Sequence, residues 1–189
     1  MNKSVLKVAL AAITLMLSGC IAWKPVASEP LKSSGGKYSI NLPLGWNVLT
    51  LGTRQLTSKY GDGLQSFIVT QVNHKNAFGT GKDRTSSTAD IDPRVFCDKL
   101  VADLKKTPNH DTMEITSVSP FMLGGRAGFR AELTSKRTFQ ADGIRYKHVL
   151  YGVANQNGLY ILHYEAPVLH YFEKDLPDIE KSVSTFKLL

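Results

Sequence analysis

The chain predicts an α+β fold: an α/β/α sandwich with a central antiparallel sheet flanked by helices. Three observations carry this. Gly124-Gly125, Asp142-Gly143 and Asn157-Gly158 separate β-rich segments in series, as the tight turns of an antiparallel meander require. Apolar stripes at helical period lie before and after them: Phe96, Leu100 and Leu104 with Cys97 and Val101, then Leu169, Phe172, Leu176, Ile179, Val183 and Phe186. The meander strands are also apolar on both faces. Two-residue turns put Ile144, Tyr146, His148 and Leu150 on the side of Leu133, Ile161 and His163, with Val149, Tyr151, Val153, Tyr160, Leu162 and Tyr164 opposite. A sheet with one solvated face alternates more cleanly, so a helix is expected on each side.

The first residues carry an address. Lys3 and Lys7 lead into Val8–Leu17, an apolar run broken only by Thr14, and Ser18 and Gly19 follow. This is the pattern of a secretory signal, and it is too short for a membrane-spanning helix, which needs ~20 apolar residues. Leu17-Ser18-Gly19-Cys20 resembles the lipobox of bacterial lipoproteins. The resemblance implies a signal peptide over residues 1–19, cleavage between Gly19 and Cys20, and a lipid thioether on Cys20 with an acylated amino terminus. Several acyl chains, each buried methylene contributing ~0.8 kcal/mol, anchor the protein in the bilayer. Ile21 stands where an Asp favours inner-membrane retention, so the resemblance implies the outer membrane, facing the periplasm.

Residues 20–36 hold two prolines and end in Ser33-Ser34-Gly35-Gly36 without an apolar period, and are expected to form a flexible tether. A single globular domain is expected over residues 37–189. Tyr38–Leu42 alternates as a strand, Pro43-Leu44-Gly45 turns, and Trp46–Leu49 resumes. Gln55–Tyr60 and Leu64–Val72 form the next pair around Gly61-Asp62-Gly63. The polar stretch His74–Asp90 lacks a period; it or the adjoining strand ends are expected to carry the partner site, and as a recognition element alone it would be removable without loss of folding. Asp92-Pro93 opens the first helix, with Asp as cap and Pro at its first position. The last helix carries Pro177, so it is kinked there or restarts near Leu176.

Tyr38-Ser39-Ile40-Asn41-Leu42-Pro43-Leu44-Gly45-Trp46 resembles the opening strand and turn of PsbP-like domains. Gly125-Arg126-Ala127-Gly128-Phe129, Tyr164-Glu165-Ala166-Pro167 and Ser184-Thr185-Phe186 resemble the rest of that pattern. The resemblance covers most of residues 37–189. It implies the α/β/α sandwich and a role in binding or stabilising partners, with no shared catalytic set.

The net charge is +7, of which Lys3 and Lys7 contribute two. An exported protein of this moderate charge is not expected to bind nucleic acid. With Cys20 lipidated, Cys97 has no intramolecular partner, and its helical stripe makes it a small buried hydrophobe. Gly79-Thr80-Gly81-Lys82 lacks the first glycine of a phosphate loop, and Asp83 replaces its Ser/Thr. Gly128-Phe129 between Arg126 and Arg130 lacks the further aromatics of an RNA-binding strand. No Gly-x-Ser-x-Gly, His-Glu-x-x-His or Cys-x-x-Cys occurs. Tyr151, Tyr160 and Tyr164, at period two, are expected to pack under a helix rather than line a ligand cleft.

His148, His163 and Glu165 share a face and have the donor types of a divalent-metal site. An Asn157-Gly158 turn, however, sets His163 opposite Gly152 and leaves His148 a long diagonal away. They are therefore expected to be hydrogen-bonded strand histidines, with no metal and no cofactor. The expected function is a non-catalytic, membrane-anchored module that binds an envelope protein partner. A small-molecule or metal-binding lipoprotein is the alternative, and an enzyme comes third.

Overall fold

The structure, a computed structural model, describes residues 23–61, 63–108, 110, 112–137 and 143–189. The signal segment, Cys20 and the Asp142 of one expected turn lie outside the described residues.

The fold is α+β, mostly antiparallel sheet with two α-helices among the described residues. The strands are β1 (Lys24–Pro25), β2 (Leu31–Lys32), β3 (Tyr38–Ile40), β4 (Asn47–Leu51), β5 (Arg54–Ser58), β6 (Ser66–Val72), β7 (Glu114–Leu123), β8 (Arg126–Arg137), β9 (Ile144–Asn155), β10 (Gly158–Pro167) and β11 (Lys187–Leu188). The helices are α1 (Pro93–Leu104) and α2 (Phe172–Ser184). An eight-stranded sheet runs β1-β4-β5-β6-β10-β9-β8-β7, and a small sheet runs β11-β3-β2. After β6 the chain leaves through α1, enters at the far edge as β7 and returns strand by strand until β10 lies beside β6.

The Gly124-Gly125 turn forms where expected, joining Leu123 to its partner Arg126. Both glycines have positive φ, 60° and 81°, as a two-residue hairpin turn of this hand requires. The edge strand β7 carries a register shift between Ile115 and Ser117, and Pro120 lies within it. Both features blunt an edge against pairing with other chains.

Asp92 caps α1 as expected, its side chain accepting from the Arg94 and Val95 amides, with Pro93 in the first turn. Phe96, Cys97 and Val101 are buried beneath it among Phe129, Leu133, Leu150 and Leu159. Burial pushes the Cys97 thiol up to about 11, which keeps it protonated and unreactive at neutral pH. The second helix runs from Phe172 through Pro177 to Ser184 without a break. Its Phe172, Ile179 and Val183 pack with Tyr151, Val153, Tyr160, Leu162 and Tyr164, so the three tyrosines are core. Leu169 precedes the helix and is exposed, while Phe186 follows it and is buried.

Two expectations are corrected. The stretch read as a flexible tether is joined to the body: Lys24 pairs with Val48, Pro25 with Asn47, and Leu31 with Ile40. Short backbone ladders need no apolar period, so the sequence carries no sign of them. The His74–Asp90 stretch is also tied down. Phe78 bridges Thr85, is buried, and meets the Phe96 ring edge-on at 5.9 Å. Removing this stretch would take Phe78 out of the core.

Candidate functional site

The face of the sheet beneath α1 changes character along the strands. Under the helix it is apolar. Beyond the helix C-terminus it carries Arg137 and Ser135 on β8, Tyr146 and His148 on β9, His163 and Glu165 on β10, and Ser66 on β6. Strand alternation puts them all on one face. His110, from the connection between α1 and β7, completes the group.

The register differs from the one the glycine turn suggests. Asn155 pairs with Gly158, so the loop is Gln156-Asn157 rather than Asn157-Gly158. His163 consequently lies opposite Leu150, and Glu165 opposite His148. The faces are unchanged, because the pairing slips by two residues. The neighbours are not: the long diagonal between His148 and His163 closes to a contact of 3.1 Å between His148 Nδ1 and His163 Nε2. Arg137 likewise pairs with Ile144, so the β8–β9 connection is longer than an Asp142-Gly143 turn.

Glu165 is the hub. Its Oε1 accepts from Arg137 Nη2 at 2.6 Å and from Ser66 Oγ at 3.1 Å. Its Oε2 faces His110 Nε2 at 3.1 Å, His148 Nδ1 at 3.4 Å and His163 Nε2 at 4.0 Å. The Arg137 guanidinium lies over the Tyr146 ring, 4.1 Å from its centre. His110 presents Nδ1 to the Pro108 carbonyl at 3.0 Å and to Thr107 Oγ1 at 3.1 Å. The Thr107 hydroxyl donates to the Leu104 carbonyl at 2.6 Å, so both neighbours of Nδ1 accept and that nitrogen carries a hydrogen. Ser135 Oγ lies 2.7 Å from His148 Nε2. Because His148 Nδ1 faces a carboxylate oxygen, that nitrogen is assigned the hydrogen, and Nε2 accepts from the serine hydroxyl.

The charge states follow. Burial opposes ionisation of Glu165, but hydrogen bonds from His110 and His148 and the Arg137 charge hold its carboxyl far below the usual range. The hydrogen bond to Glu165 raises the His110 pKa. Burial lowers His148, and pushes His163 down to about 3. At neutral pH the network is a buried carboxylate balanced by an arginine, with imidazoles around one of its oxygens.

The group is not sealed. A cleft of about 390 Å³ opens beside it, walled by Ile68, Ile161, Leu100 and Leu104, and reaches His110, His163 and Glu165. Sequence reasoning found His148, His163 and Glu165 but missed His110, Arg137, Ser135 and Ser66. His110 sits in an aperiodic connection and carries no sequence signal. Arg137 and Ser135 had one: at period two they share the face of Leu133.

No family model matches this chain, and no curated protein matches it. Among solved structures, a protein of Bacteroides thetaiotaomicron aligns at 16% identity with a TM-score of 0.44. The match covers 86% of this chain and 48% of that one, so this chain spans about half its length. LpqN of Mycobacterium tuberculosis, described as involved in cell envelope biogenesis, aligns at 12% identity with a TM-score of 0.48, covering 85% of this chain and 89% of its own. At these scores the likeness carries no functional inference.

Proposed function

We propose that this protein is a non-catalytic binding module of the bacterial cell envelope, anchored through lipidated Cys20 at the periplasmic face of the outer membrane. It would recognise another envelope component through the cleft beside α1. The observation that carries this reading is the cleft itself: apolar walls of Ile68, Ile161, Leu100 and Leu104 end on a few convergent polar groups, as ligand sites do. A non-catalytic role is supported by burial. Ser135, the hydroxyl beside a histidine, and His148 are both buried and neither lines this cleft, so a ligand seated in it would not meet that pair. We also infer the α/β/α sandwich of PsbP-like domains, supported by two apolar clusters, one with each helix, on opposite faces of the sheet.

Two experiments test this. Cys20→Ser should release a folded protein from the membrane fraction; an unchanged membrane fraction defeats the anchor. A photo-crosslinking residue at Thr107, on the cleft rim, should give a discrete adduct in intact cells. Filling the cleft with Ile161→Trp should abolish that adduct. If no discrete adduct forms, or if it persists in Ile161→Trp, the cleft is not the recognition site.

A further inference from the structure

We propose that His110, His148 and Glu165, with His163 as fourth ligand, form a site for a divalent transition-metal cation, zinc above others, at the inner end of the cleft. This goes beyond partner binding and does not depend on it.

The geometry of the donors is the first support. The ligand atoms of His110, His148 and Glu165 all lie within 4.8 Å of one another. Glu165 Oε2 is 3.1 Å from His110 Nε2 and 3.4 Å from His148 Nδ1, and His148 Nδ1 is 3.1 Å from His163 Nε2. A tetrahedral zinc with bonds of ~2.0–2.1 Å has donor–donor edges of ~3.4 Å. Three of these separations match that edge; His163 Nε2, 4.0 Å from the carboxylate oxygen and outside the three-residue group, would have to move inward to become the fourth ligand.

The surroundings are the second. A metal-bound imidazole normally has its other nitrogen held by a hydrogen bond, which fixes tautomer and ring orientation. His110 Nδ1 donates to Pro108 and Thr107, leaving Nε2 to face Glu165 Oε2. His148 Nε2 has Ser135 Oγ at 2.7 Å, which can accept once a cation replaces the hydrogen on Nδ1. Glu165 is divided in the same way. Arg137 and Ser66 hold Oε1, so Oε2 alone turns to the histidines.

The plainer reading is an ion pair in which a proton bridges His110 and Glu165. A proton satisfies one edge of the group only. The hydrogen on His148 Nδ1 accounts for its contacts with Glu165 Oε2 and His163 Nε2, but three imidazole nitrogens gathered beside one carboxylate oxygen are the donor set that a divalent cation takes. Three imidazoles and one oxygen suit zinc, or copper, nickel and cobalt, better than the all-oxygen cations calcium and magnesium. The Arg137 charge opposes the cation and limits its affinity. The cleft supplies the entry path, since it reaches His110, His163 and Glu165.

The test uses the full chain, free of any affinity tag, in mild detergent, stripped with chelator and dialysed against zinc alone. Wild type should take up one zinc per chain and melt at a higher temperature with it. His110 is on a connecting segment with its side chain 16% exposed, so His110→Ala should fold and bind at least about tenfold more weakly. Exposed His170→Ala should bind as wild type does. Cobalt should give wild type the strong visible bands of a tetrahedral nitrogen–oxygen site, a reading that needs no variant. No stoichiometric uptake, weak octahedral cobalt bands, or uptake unchanged in His110→Ala/Glu165→Gln would each overturn the proposal. Failure of the Thr107 crosslink would bear on the partner alone.

Discussion

The two faces of the central sheet bury similar apolar side chains yet treat charge differently. On the α2 face, helix and sheet are joined by the small sheet, which adds Leu31, Tyr38, Ile40 and Leu188 to one continuous cluster with Trp46. Its buried carboxylate, Asp175, accepts from Gln65 Nε2 at 2.6 Å and pairs with Lys59 at 3.3 Å. That is a carboxylate satisfied by neighbours with nothing further to offer. On the α1 face, Glu165 meets three histidines, an arginine and a serine. The cause is cover. Strands β8 and β9 have twelve residues each and extend ~40 Å, whereas the twelve-residue α1 extends ~18 Å. No second sheet fills the remainder, among the described residues, so half of that face is left to polar groups and a cleft.

The contrast can be broken first at its strongest points. Trp46→Ala on the α2 face should cost about 3–5 kcal/mol in urea unfolding, the ordinary loss for a large buried aromatic. Arg137→Ala on the α1 face should cost a similar ~3–5 kcal/mol, because it strips the buried Glu165 of its cationic partner. The two losses differ in kind. Replacing both members, Arg137→Met with Glu165→Leu, should recover most of the stability, since a buried pair exchanged for apolar residues is often neutral. No charge change should rescue Trp46→Ala. A double variant as unstable as Arg137→Ala would mean that the histidines, not the arginine, set the cost.

A smaller effect is expected where the apolar half of the α1 face is closest packed. Gly152 lies opposite Phe129, and a Cβ there would overlap its ring. Gly152→Ala should therefore destabilise by about 1–3 kcal/mol, measured by the same unfolding curve. Smallest is the cap. Asp92→Ala removes the acceptor for the Arg94 and Val95 amides and should cost about 1 kcal/mol while leaving zinc uptake unchanged. If uptake fell with it, the two halves of this face would be coupled through α1.

Much of the fold was legible residue by residue. The cap at Asp92, the Gly124-Gly125 hairpin and the helix periods depend on contacts within a few residues, and such contacts are written locally. Face assignment was legible too, because alternation along a strand survives any slip of two. The site was not. Whether His148 meets Glu165 or a more distant neighbour turns on whether the loop is Gln156-Asn157 or Asn157-Gly158, and both are turns of two residues with acceptable chemistry. Packing along ten residue pairs between β9 and β10 decides between them. His110 belongs to no period, and only the path from α1 to β7 carries it over the sheet.

By itself, then, the sequence determined which residues face which side of the sheet, where the first helix begins, and the lipobox-like motif around Cys20. Those follow from short-range sterics, backbone hydrogen bonding and apolar period. Tertiary structure alone decided that Lys24–Pro25 and Leu31–Lys32 join the sheets and that three histidines from three segments converge on one oxygen of Glu165. Convergence depends on strand register and on which stretch of a long strand the helix leaves uncovered, and these are set by the packing of the whole domain.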